Sequence, residues 1–573
     1  MTHPTHDLVV RGGTVADGTG APLRRADLAI DGDRITAVGD VPGTGGEELD
    51  ARDLLVAPGW VDVHTHYDGQ VSWDTLIAPS AWQGVTTAVM GNCGVGFAPV
   101  RPDKHGWLIE LMEGVEDIPG TALHEGITWE WETFPEYLDA LDRAAYALDI
   151  GTQVPHAALR GYVMGDRGGD HTEAPTPEEI VRMGELAAEG IRAGALGFST
   201  SRTVNHKSAS GAFTPSLTAP AEELHGIARA VGATGQGVFE VVADLDDLAG
   251  EFAIIRGMAE VSGRPVSLTV LQKPVRPGEY REVLDLIDAA VAAGVPMRGQ
   301  VPTRPVGLVM GLEGRVHPFV ASPTYRALAD LPLAERVARL RDPEVRARVI
   351  EETEAHKAVS PLTHFGAAFP LGDPPVYDPP ADQSIHAVAA RTGRSVFEVA
   401  LDAMLVDDGN GKLYLPVMNY ADGDLGATRE MLTNPHCVPG LGDAGAHCTL
   451  ICDASMPTYL LTHWARDAAD GARLPIEFAV QRQTSATARA VGLLDRGVLA
   501  PGMRADINVI DLDGLTVGRP QMLHDLPAGG KRLVQKASGY RATVVAGTVV
   551  TRDGDDTGAR PGRLVRGAQP APA

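Results

Sequence analysis

Between about residues 60 and 443 the sequence repeats one figure eight times: a short apolar run of strand type, a turn rich in Gly, Pro or Asp, and a stretch of helical period. The runs fall at 61–66, 86–90, 150–154, 195–199, 237–242, 266–271, 295–301 and 437–443. This alternation constrains the fold more than any other feature, because a parallel strand reaches its neighbour only through a crossover, which is usually a helix. Eight such units predict an α/β chain built on a (β/α)₈ TIM barrel, with its chemistry at the C-terminal ends of the strands. The third run is the least regular, with Gly151 inside it and Pro155-His156 at its end.

Both ends of the chain read as β structure. Leu8-Val9-Val10, Asp27-Leu28-Ala29-Ile30 and Arg34-Ile35-Thr36-Ala37-Val38 turn on Gly and Asp, and a matching set returns at 505–510 and 540–550. The expected organisation is a small β-sandwich domain from residues 1–57 and 498–560 around a barrel at 58–497, with 561–573, rich in Arg, Gly, Pro and Ala, as a flexible tail. A segment at about 302–435 separates the last two runs and is too long for a plain connection, so it reads as a subdomain or a functional insertion, helical at 334–340 and 345–350. A shorter insertion at 101–131 carries Trp107, Leu111, Met112, Ile118, Trp129 and Trp131, which either line a pocket mouth or simply pack.

Composition narrows the function classes. Of 573 residues, 44% are hydrophobic, enough for a large core and incompatible with disorder throughout. Lys plus Arg is 49 and Asp plus Glu 75, so the formal charge is 49 − 75 = −26, which argues against nucleic acid or an anionic membrane as partner and leaves a small molecule. Four cysteines, Cys93, Cys437, Cys448 and Cys452, are too few and too uneven for a disulfide framework and suit a reducing compartment. With no basic, apolar leader and no run long enough to cross a bilayer, the expectation is a cytoplasmic protein, with homo-oligomerisation left open.

The first run ends in Val63-His64-Thr65-His66, where a strand's period of two points both imidazoles the same way, as a metal-ligand pair requires. Cys93, in Gly91-Asn92-Cys93-Gly94, ends the second run; a lone buried cysteine is ordinarily an inert hydrophobe, and its place beside the histidine pair makes it a candidate ligand. Asp443, in Gly442-Asp443-Ala444-Gly445-Ala446-His447, ends the eighth, as metal ligand, proton acceptor or cap of the next helix. His156 has no second ligand beside it, and Cys448, Cys452 and Asp453 lack the spacing of a closed zinc site.

These motifs, with Ala57-Pro58-Gly59-Trp60-Val61-Asp62, Gln83-Gly84-Val85-Thr86-Thr87, Gly194-Ala195-Leu196-Gly197-Phe198-Ser199 and Gly497-Val498-Leu499-Ala500-Pro501-Gly502-Met503-Arg504-Ala505-Asp506, resemble the amidohydrolase superfamily, and within it the D-aminoacylase (N-acyl-D-amino-acid deacylase) branch, nearly end to end. The resemblance implies a metal-dependent hydrolase of an amide C–N bond, with one or two divalent ions, zinc first and manganese second, activating water. It implies His64, His66, Cys93 and Asp443 as metal-site residues and Asp443 as the proton-transfer group. This chain departs from the pattern where strands five and six of the family end in histidine: here they read Phe239-Glu240-Val241-Val242 and Thr269-Val270-Leu271-Gln272-Lys273. Glu240 is then either a substitute ligand or a buried acid paired with a base, and Gln272 or Lys273 an orienter of substrate. Lys273, Arg298 and His364, with Arg202 and Arg304, are the candidates to meet a substrate carboxylate. The competing readings are a cyclic-amide or imide hydrolase on the same scaffold and a barrel that binds ligand without turnover.

Overall fold

The computed structural model describes residues 5–356 and 365–572. Its centre is a sheet of eight parallel strands, β1 (Trp60–Asp62), β2 (Val85–Met90), β3 (Asp149–Pro155), β4 (Gly197–Arg202), β5 (Val238–Ala243), β6 (Val266–Thr269), β7 (Met297–Val301) and β8 (Cys437–Pro439), hydrogen-bonded in chain order. All eight expected runs contribute a strand. The ring closes between its ends through a bridge of Thr65 with Ala444, the His66 amide donating to the Ala444 carbonyl at 2.8 Å. Every residue of β2 and β3 is buried, as strands covered on both faces must be, which is why these runs are apolar without alternation. The crossover helices carry their own start signals: Thr176 and Glu179 form a capping box ahead of Pro177–Ala193.

Strand ends differ from the sequence reading in three places that matter for the site, one being β8, which stops at Pro439 and leaves Asp443 in the loop beyond it. The ladder of β1 stops at Asp62, so His64 and His66 stand in an extension held by the closing bridge. β6 stops at Thr269, which leaves Gln272 and Lys273 in the loop beyond it.

Nine strands from both ends of the chain pair in one outer sheet, in which Leu55–Pro58 lies between His6–Val15 and Ile507–Ile510. Its own core contains Leu8, Val10, Leu28, Ile35, Ile507 and Val544. The segment after β7 holds an antiparallel sheet of three strands, Val306–Met310, Phe369–Leu371 and Lys412–Met418, with helices that include Leu333–Arg341 and Pro343–His356. In the shorter insertion, Leu111, Met112, Ile118 and Trp131 are buried in the main core and Trp107 and Trp129 pack against it.

The last residues are not a loose tail. The Ile150 amide donates to the Arg563 carbonyl, Val565 N–H to Ile150 and Gly567 N–H to Gly194, while Leu564 and Val565 are buried. Composition suggested looseness, but main-chain pairing with the start of β3 fixes this segment whatever its side chains. No described helix is long and apolar enough to cross a membrane, and the four cysteines are free and buried.

Candidate active site

The extension after β1 delivers two buried imidazoles, 5.4 Å apart between ring centroids and steeply inclined. Their outer nitrogens converge. His64 Nε2 lies 3.3 Å from Cys93 Sγ and 3.4 Å from Asp443 Oδ1, and His66 Nε2 lies 3.8 Å from the same carboxylate oxygen. One ligand atom from each of His64, His66 and Cys93 falls within 4.8 Å of the others. Cys93 and Asp443 hold left-handed backbone, φ 54° and 44°, as does His447 at 55°. Such conformations cost a non-glycine residue energy and cluster at functional sites.

The donor set suits a divalent cation. Asp443 Oδ1 and Glu240 Oε1 are buried without a hydrogen-bond partner among the described residues, an expensive state for a carboxylate that a cation would relieve. Burial pushes Glu240 up to about 7, against the pull of the His64 charge, and its other oxygen accepts the Cys93 amide at 2.8 Å. Glu240 therefore stands at the site's edge, its nearest base being His64 Nδ1 at 3.9 Å. Burial also raises the Cys93 thiol well above its usual range, with Glu240 and Glu116 adding to it, so that thiol becomes a thiolate ligand only against a cation. For His64, burial opposes the charge, yet Asp443, Glu240 and the Gln300 hydrogen bond together raise it, whereas burial and the neighbouring His64, His447 and His206 hold His66 well below the usual range.

Three residues that sequence reasoning missed complete the surroundings. Gln300, inward at the end of β7, takes His64 Nδ1 at 2.8 Å. Glu116 ends the helix His105–Glu116 with Oε1 3.4 Å from His66 Nδ1. His206, in the loop after β4, lines the cavity with its Nδ1 on the Ser201 hydroxyl. Period two along β7 was signal enough for Gln300, while Glu116 and His206 carry none, since the helix end and the loop that hold them come to the site only through the fold.

Above the two histidines opens a cavity of about 470 Å³, in the range of small-molecule sites. His64, Cys93, His206 and Asp443 are polar parts of its lining, and Val242, Leu245, Val270 and Leu271 from the barrel and Leu308 and Met418 from the insertion form apolar wall. None of the six large side chains singled out at 107–131 reaches this lining.

The candidate carboxylate binders divide. Lys273 lines the cavity, but its ammonium is paired with Glu279 at 2.5 Å and also donates to the Asp244 carbonyl. Arg298 lies on β7 outside the lining, so the structure does not bring it to the cavity. Arg202 is engaged by Glu251 at 2.6 Å, and Arg304 by Asp453 at 2.8 Å beneath the ring of Tyr377. Gln272 spends its side chain on Asp422 and the Ala421 amide, tying the returning insertion to the barrel. His364 lies outside the described residues. His156 is buried between Thr200 and Glu223, a structural contact as its isolation in the sequence suggested.

Comparisons with known proteins identify the family of the chain. A family model described as "Amidohydrolase family" matches residues 47–551. The D-aminoacylase of Alcaligenes xylosoxydans xylosoxydans is 30% identical over 575 residues, covering 98% of this chain and 97% of its own, and the N-acyl-D-glutamate deacylase of the same organism is 29% identical, covering 88% of each. Among solved structures, a D-aminoacylase described by its binuclear metal centre, with one-metal activation and second-metal attenuation, superposes with a TM-score of 0.64 at 25% identity over 98% of this chain and all of that one.

Proposed function

Because this chain belongs to the amidohydrolase family, we propose that it is a divalent-metal-dependent hydrolase of a non-peptide C–N bond, of the N-acyl-D-amino-acid deacylase kind. The observation that carries this reading is the convergence of His64 Nε2, His66 Nε2, Cys93 Sγ and Asp443 Oδ1 next to a substrate-sized cavity. His64, His66, Cys93 and Asp443 would hold the ion, with the free oxygen of Glu240 beside them. Once bound, a zinc ion would polarise an amide carbonyl and acidify a water molecule.

The remaining work falls to the chain. Asp443, with side-chain exposure of 21%, lines the cavity while His64 and His66 beside it are buried, which supports Asp443 as the group that would take the water's proton and return it to the leaving nitrogen. Gln300 fixes the His64 ring and Glu240 fixes the Cys93 amide. The apolar wall excludes water and accepts an aliphatic or acyl group of substrate. Loss of the family's two strand-end histidines favours a single ion at the His64–His66 side, in keeping with the one-metal activation described for the solved D-aminoacylase.

Purified protein assayed with N-acetyl-D-amino acids, their L-enantiomers and cyclic imides, after chelation and after zinc or manganese, tests the proposal. Release of free D-amino acid that depends on added metal is the expected result. Turnover of the imides alone would assign the cyclic-amide class, and metal and ligand binding without turnover would remove the enzyme reading.

A further inference from the structure

We propose that Glu116 is a positioning residue for His66: its carboxylate accepts a hydrogen bond from the ring's Nδ1–H and so keeps Nε2 aimed at the ion. The inference rests on the metal-site reading above and adds to it a residue from the insertion, outside the barrel strands.

Glu116 is 2% exposed, and its Oε1 lies 3.4 Å from His66 Nδ1. Neither of these two atoms has a hydrogen-bond partner among the described residues, so each is the other's available mate. A hydrogen bond needs the gap to close by about half an ångström. The His64 ring is arranged the same way, with Nδ1 on Gln300 Oε1 at 2.8 Å and Nε2 turned to Cys93 and Asp443. His64 is thus held at Nδ1 and offered at Nε2, and His66 has a carboxylate oxygen facing its Nδ1 in the matching position, the arrangement in which an outer carboxylate or carbonyl fixes the tautomer and orientation of a metal-binding imidazole.

Folding places this carboxylate firmly. The helix ends at Asp117, in left-handed backbone with φ 51°, and the Asp117 carboxylate accepts from the Thr449 amide at 2.9 Å and hydroxyl at 2.7 Å. The Glu116 carbonyl accepts the His447 amide at 2.5 Å. The helix end is therefore docked, by backbone and by Asp117, on the loop that carries Asp443. None of those contacts needs a carboxylate at position 116, so burying one there is a cost without return unless His66 uses it.

The test compares Glu116→Ala and Glu116→Gln with the unaltered protein, each stripped of metal, by zinc titration against a competing chelator and by thermal melting of the metal-free forms. Expected is a zinc Kd raised about 100-fold in Glu116→Ala and about 10-fold in Glu116→Gln, whose amide oxygen still accepts from Nδ1–H, with metal-free melting temperatures no lower than the parent's. An unchanged Kd in both variants would overturn the role. So would equal, complete loss in both, which would put the carboxylate on the ion itself, and so would a lowered metal-free melting temperature with unaltered Kd, which would make Glu116 structural. A parent protein that binds no zinc, manganese or cobalt would instead overturn the metal reading on which the proposal stands.

Discussion

Asp443 occupies a left-handed conformation at φ 44°, which few side chains accept and asparagine accepts readily. Asp443→Asn therefore changes the charge and leaves the backbone in place. It should still bind zinc through His64, His66 and Cys93 but lose turnover by about 10²–10⁴-fold, read as kcat beside metal content by elemental analysis. Glu240 makes a second residue-scale prediction. Its proton is held more tightly folded, at about 7 against an ordinary 4.5, so the associated stability is present below about 4.5 and is lost as pH rises through 7. That loss is at most about 3 kcal/mol, and Glu240→Gln removes it. Melting curves of metal-free protein between pH 5 and pH 8 should fall less steeply for Glu240→Gln than for the parent; parallel curves would mean that Glu240 does not titrate there. The convergence of His64, His66, Cys93 and Asp443 was legible because each follows shortly after a barrel strand at the same end of the sheet and the two histidines share a period of two. Glu116 was not, since nothing in His105–Glu116 distinguishes its last glutamate from Glu110 or Glu113 until the helix is docked.

Elements were legible where their hydrophobic period was decided by burial on both faces, as for β2 and β3, and less so where tertiary contacts set the boundary, as at the ends of β1 and β6. The three-stranded sheet of the insertion escaped notice because its middle strand, Lys412–Met418, pairs with partners far back in the chain, at Val306–Met310 and Phe369–Leu371. The helix His105–Glu116 carries the clearest prediction at this scale. A Cβ on Gly114 would lie 2.1–2.3 Å from backbone atoms of Lys207, Ser208 and Ala209, and the Ala209 amide already donates to the Glu110 carbonyl. Gly114→Ala must push that loop away from the helix, and with it His206 at the cavity wall. The expected outcome is a KM raised several-fold and a stability loss of about 1–3 kcal/mol, measured by steady-state kinetics and denaturant unfolding; a parent-like KM would show that the loop's position is immaterial to substrate.

Across the whole molecule, the outer sheet, the last residues and the barrel meet at the N-terminal end of β3, the end remote from the chemistry. Asp149 there is fully buried and accepts from Arg496 at 2.7 Å, from Arg504 at 2.9 and 3.0 Å, and from the Arg563 amide at 3.0 Å. The sequence announced the two β-rich ends of the chain but not this junction, because Asp149 lies more than 340 positions from each of its partners and shares no local pattern with them. Removing one member of a buried charge cluster leaves its partners desolvated and short of a counter-charge, at a cost of about 3–5 kcal/mol. Asp149→Ala should lower the melting temperature while the protein that remains folded keeps the parent's kcat and zinc affinity, since barrel active sites depend on the opposite end of the strands. Melting, zinc titration and kinetics on the same preparation check this. A parent-like melting temperature would mean that Asp495 and Asp506, which also neighbour Arg496, already satisfy the arginines; a changed kcat in folded protein would mean that the outer sheet reaches the chemistry through β3.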